Sequence, residues 1–164
     1  MSEPMTREGA IIWLEDVADL IKRFRALGGT AVGQMLESNI ECMKLQGADR
    51  ESISDYLQRR VMAFEFAAQH AENELDVLLL ESVARILRRI YAGSASEFGG
   101  ALDLTKEALR LSGFTEVQIA RPCRVYLDAI NRTIETLKQK GNKEDGGHNA
   151  ANQHSTGVMR GCER

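Results

Sequence analysis

Apolar residues along this chain recur at intervals of three and four and nowhere alternate for long, a rhythm that fits helices and not sheets. Over residues 6–27, Ala10, Trp13, Val17, Leu20, Phe24 and Leu27 form one continuous seam. Gly28 and Gly29 end it. Thr30 then stands where a cap belongs, ahead of a second helix that carries Val32, Met35, Leu36, Ile40 and Met43 and stops at Gly47.

Residues 49–92 contain neither glycine nor proline, and Asp49 is placed to cap a helix. Leu57, Val61, Phe64, Ala68, Ala71, Leu75 and Leu78 keep a heptad spacing. A second seam of Leu75, Leu79, Val83, Ile86 and Ile90 is displaced from the first by a four-residue stutter. One unbroken helix here would be about 65 Å long at roughly 1.5 Å per residue. Such a spine either breaks near residues 69–73 or extends into an oligomer. Where the seams overlap, Leu75, Val77, Leu78, Leu79 and Leu80 cover nearly the whole circumference, and a helix apolar all round needs burial on more than one side. Together with Val83 these residues are the expected self-association surface, most simply that of a two-fold dimer.

Residues 92–100, "AGSASEFGG", read as a small-residue connection. A short helix is expected over residues 101–112, with Leu104, Ala108 and Leu111 inward. Residues 113–124, "GFTEVQIARPCR", then admit two readings. As a DNA-binding helix-turn-helix, Thr115 and Gln118 form a capping box and Ile119 faces inward. Against this, Pro122 interrupts the recognition helix, Val117 sits where a polar residue should face DNA, and Glu116 and Asp128 offset Arg121 and Arg124. The simpler reading is a corner: Gly113 ends one helix, residues 115–120 make about one turn, and Pro122 opens the last helix at its tolerated first position. That helix, through Lys140, carries a heptad seam of Cys123, Leu127, Ile130, Ile134 and Leu137. The fold class is therefore all-α: an elongated bundle of five or six helices with one long or once-broken central helix. The bundle domain spans residues 1–140, and the polar, glycine-bearing residues 141–164 are expected to be a disordered tail.

Composition narrows the function. The chain has 164 residues, 43% apolar and 27% charged, with a formal net charge of −3. That is enough for a sizeable core in one domain. A nucleic-acid coat or membrane-surface binder would be strongly basic. No apolar run approaches the roughly 20 residues that span a bilayer, and the acidic start does not resemble a signal peptide. The three cysteines, Cys42, Cys123 and Cys162, make neither a CxxC pair nor an even-numbered framework. They read as two small apolar residues on helices and a free tail thiol, which places the protein in the reduced cytoplasm.

Candidate chemistry is sparse. Two of the three histidines, His148 and His154, lie in the tail at a spacing that fits no structural zinc pattern. His70 reads as a boundary residue paired with Glu74. There is no phosphate-binding glycine loop and no nucleophile elbow. No catalytic residue, cofactor or metal ligand is assigned, and the chain is read as not an enzyme. Arg85, Arg88 and Arg89 share one helical face and, with Arg121 and Arg124, are the candidates for phosphate or acidic-partner contacts. The function expected is a non-enzymatic helical adaptor or assembly protein that self-associates and binds a protein partner. The alternative is a small DNA-binding regulator or nucleoprotein accessory factor using the arginine face or the 113–124 corner.

Overall fold

The structure, a computed structural model, describes residues 3–145, and within these it holds six helices and no strand. They are α1 (Arg7–Leu27), α2 (Gly29–Leu45), α3 (Arg50–His70), α4 (Glu74–Ala92), α5 (Ala95–Leu111) and α6 (Glu116–Asp145). The all-α bundle is thus as the periodicity requires. α6 runs to Asp145, so residues 141–145 belong to the last helix rather than to a tail. The remainder of the expected tail, with His148, His154 and Cys162, lies outside the described residues.

The presumed spine is two helices. α3 ends at His70, Ala71 turns to an extended backbone, and Asn73 opens α4 by accepting a hydrogen bond from the Asp76 amide at 2.8 Å. The Asn73 side-chain Nδ2 in turn donates to the Asp76 carboxylate at 3.1 Å, so side-chain capping restarts the helix without glycine or proline. Lys140 donates to the His70 carbonyl, satisfying part of the α3 C-terminus.

α3 folds back on α4, and with α1 and α6 they close a ring of four packed helices, α1–α3–α4–α6. Its core is filled by Trp13 and Leu14 of α1, Phe64 and Val61 of α3, Leu80, Val83 and Leu87 of α4, and Leu127, Ile130, Ile134 and Leu137 of α6. Arg60 is fully buried inside it. It donates to the Asp16 carboxylate at 2.6 Å and to the Tyr91 hydroxyl at 3.2 Å, with its guanidinium over the rings of Trp13 and Tyr56. Burial opposes the charge, but Tyr91 and Asp16 overcome it and the Arg60 pKa is raised.

α2 and α5 form an antiparallel pair on the side of this ring. Where Gly99 crosses Gly29, a Cβ on either residue would meet the other's backbone, and a Cβ on Gly33 would meet the Ala95 carbonyl. The pair is also capped reciprocally. Asp103 of α5 accepts from the Gly29 amide (2.6 Å), the Thr30 amide (2.9 Å) and the Thr30 hydroxyl (2.9 Å), at the start of α2. Glu37 of α2 accepts from the Ser96 amide (3.0 Å) and the Ser94 hydroxyl (2.8 Å), at the start of α5. Residues 92–100 are therefore not a loose connection: from Ala95 they are the first turns of α5, with Gly99 as its contact point. Nor does Thr30 cap α2; Gly28, at φ 93°, takes that position and Asp103 supplies the acceptor.

Candidate binding site

α5 is drawn so close to α2 that it stands off from the rest of the bundle. The space left between α5 and α1, α4 and α6 is a cavity of about 680 Å³. Its walls are Leu20, Ile21 and Phe24 of α1, Val32 and Leu36 of α2, Ile86, Leu87 and Ile90 of α4, Phe98 and Leu102 of α5, and Ile119, Ala120, Cys123 and Tyr126 of α6. Arg25, Lys106, Arg110, Arg124 and Glu116 also border the cavity. Glu116 is claimed by Arg110, which donates to it at 2.5 Å and to Glu107 at 2.9 Å; the Arg110 hydrogen bond holds the Glu116 carboxyl below its usual range. Lys106 lies with its ammonium 4.9 Å from the Phe24 ring centre. The half-buried Cys123 thiol is pushed up by burial, against the opposing pull of Arg25 and Lys106, so those two cations flank it.

The outer side of α5 is equally informative. Leu104 and Leu111 are 74% and 82% exposed, and Ala108 between them is exposed too. The expected inward seam faces solvent because α5 turns Ala95, Gly99 and Asp103 toward α2. Gly99 and Leu104 are about 140° apart round a helix of 3.6 residues per turn. Past the corner Phe114 and Val117 are exposed as well, and Val117 borders the cavity.

The corner itself is built differently from expectation. Gly113, at φ 95°, closes α5, with the Phe114 amide donating to the Leu109 carbonyl and the Gly113 amide to the Arg110 carbonyl. Thr115 and Gln118 make the capping box: the Thr115 amide donates to the Gln118 side chain at 2.8 Å and the Gln118 amide to the Thr115 hydroxyl at 3.2 Å. α6 begins at Glu116 and continues through Pro122, which does not open it. The Gln118 carbonyl that proline cannot bond belongs to an exposed turn, where water is at hand.

The sequence-derived site residues are scattered. In the proposed self-association set, Leu75 and Leu78 are 59% and 60% exposed, Val77 and Leu79 are half-buried, and Leu80 and Val83 are core. Arg85 and Arg89 are exposed on α4, whereas Arg88 is engaged by Glu65 of α3. Arg121 and Arg124 are exposed on α6, and of these five arginines Arg124 alone reaches the cavity. His70 bonds the Phe66 carbonyl at 2.9 Å and stacks on the Phe66 ring, in place of the expected pairing with Glu74. Asp76 is buried, and two hydrogen bonds from Arg132 hold its carboxyl below the usual range. Cys123, half-buried on α6, is a free thiol.

Among the described residues no cluster of three acidic, histidine or cysteine side chains is set to hold a metal, and no helix is long and apolar enough to cross a membrane. The chain matches no protein-family model, no curated protein and no solved structure. The geometry offers an apolar cavity with cations at its border, beneath a helix with an uncovered apolar back.

Proposed function

We propose that this chain is a non-enzymatic helical assembly protein that self-associates along the outer face of α5 and, so assembled, binds a protein partner. The observation that carries this reading is the solvent-facing seam of Leu104, Ala108 and Leu111. Its 4,3 spacing is that of a helix–helix seam, and apolar side chains so placed are normally covered. A two-fold axis near Ala108 would set Leu104 against Leu111 across the interface. Leu75 and Leu78 on α4 supply a second, smaller exposed pair for the partner. The location proposed is cytoplasmic.

Sedimentation decides the first step. The unmodified protein should sediment as a dimer at micromolar concentration. The double variant Leu104→Glu, Leu111→Glu should sediment as a monomer with unchanged helicity, because neither side chain belongs to the core. An unmodified chain that stays monomeric when concentrated would remove self-association. Retention on DNA with a steep salt dependence would instead favour the regulator reading through Arg85, Arg89, Arg121 and Arg124.

A further inference from the structure

We infer that the cavity between α5 and the four-helix ring holds a single-chain amphiphile with a carboxylate head, a fatty acid. The acyl chain lies against Phe24, Ile86, Phe98 and Leu102, and the head lies toward the cations of its border, Arg25, Lys106 and Arg124. Two features of the cavity point to this ligand.

The first is size and lining. A volume of about 680 Å³ lies within the range of small-molecule sites, roughly 300–1,000 Å³, and the walls are aliphatic and aromatic. The second is charge. Arg25 comes from α1, Lys106 from α5 and Arg124 from α6, so three helices each contribute one cation to the border of the cavity. Glu116, the carboxylate bordering the cavity, is already taken by Arg110. Neither Arg25 nor Arg124 is in an ion pair among the described residues, and Lys106 is held by the Phe24 ring. Lys106 also lies within electrostatic reach of Asp103 and Glu116, so the exposed Arg25 and Arg124 are the cations open to an incoming carboxylate. The α5 seam used for assembly faces away from the cavity, and the two surfaces can be tested separately.

Three probes with one tail separate head from tail. Dodecanoate, dodecanol and dodecyltrimethylammonium are titrated into the full chain by calorimetry, each below its critical micelle concentration. Dodecanoate should bind one per chain at least tenfold more tightly than dodecanol, with the ammonium weakest. Lengthening the carboxylate should tighten binding by up to roughly fourfold per methylene, the equivalent of full burial. Arg124→Gln should weaken dodecanoate at least fivefold and leave dodecanol unchanged, a split that mere structural damage would not produce. Ala120→Phe, directed into the space, should reduce all three; if it fails to fold, Ile86→Phe serves the same purpose. Equal affinity for dodecanoate and dodecanol overturns the head-group assignment. Undetectable binding, or binding indifferent to both filling variants, overturns the site. Capture by anionic phospholipid vesicles with no uptake of free dodecanoate assigns the cations to a membrane surface and overturns the fatty-acid reading. A monomeric protein that still binds dodecanoate would sink the assembly proposal and leave this one standing.

Discussion

The two sides of the molecule are held together by different means. In the α1–α3–α4–α6 ring, large side chains from four helices meet and the space is full; Phe64, Leu14, Leu80, Ile130 and Leu137 are wholly buried. In the α2–α5 pair the buried apolar cluster is only Val32, Leu36 and Ala95, with Leu20, Phe24 and Ile90 around it. Backbone contact at Gly29 and Gly99, and two carboxylate caps, supply much of the attachment that side chains supply elsewhere. Filled cores resist change because interiors pack at crystal density. A pair fixed by backbone approach and caps can be firm at its own contact and still leave room beside it. The cavity is the consequence.

Truncating a phenylalanine on each side measures that contrast most directly. Phe64→Ala should cost about 3–5 kcal/mol, because the ring is enclosed by four helices that cannot all collapse onto the hole. Phe98→Ala, a half-buried ring already facing open space, should cost about 1 kcal/mol. Denaturant midpoints at equal slope make the comparison. Equal losses would mean that the cavity wall is packed as tightly as the ring.

A smaller effect is expected where the pair is pinned. Gly99→Val places a branched side chain against the Gly29 backbone, which cannot yield as a side-chain tip would. The cost should be about 1–3 kcal/mol, typical of overpacking. It should also be local: amides of α5 should exchange faster while those of α3 and α6 keep their protection. Uniform loss of protection across all six helices would show that α2 and α5 fold as one unit with the ring.

How much of this was legible depends on whether the deciding contact is local in sequence. Most caps are local, and Asp49 and the Thr115–Gln118 box act as their spacing implies, whereas the expected Thr30 cap fails because Asp103 of α5 supplies the acceptor. The α1 seam reads correctly through Val17, and the α6 seam from Leu127 to Leu137 is buried. The break at residues 71–73 left a fainter signal: Asn73 three residues before Asp76 is a capping pair, but it sits inside a run of good helix formers. α5 misled because Leu104, Ala108 and Leu111 form a better apolar stripe than the face actually used. The useful clue was the small residues, Gly29 and Gly33 on one helix and Ala95 and Gly99 on the other, four apart in both. The cavity had no local signature at all. It is unfilled space among five helices, and its cations come from three of them.

The smallest effect concerns the caps, and its sign follows from the carboxyls. Hydrogen bonds from the Gly29 and Thr30 amides hold Asp103 below its ordinary value, and those from Ser96 and Ser94 do the same for Glu37. As pH falls, the unfolded chain therefore takes up these protons before the folded one does. The stabilisation is complete above the ordinary carboxyl range, near pH 4, and is lost as pH drops through the lower folded values. Asp103→Ala should cost about 1 kcal/mol at neutral pH, in line with a lost N-cap. The same variant should lose less further stability than the unmodified protein between neutral pH and pH 3, since one of the linked protons is gone. Thermal midpoints at the two pH values give the difference. Parallel pH curves for the two proteins would mean that Asp103 binds the start of α2 equally well protonated, through its geometry and not its charge.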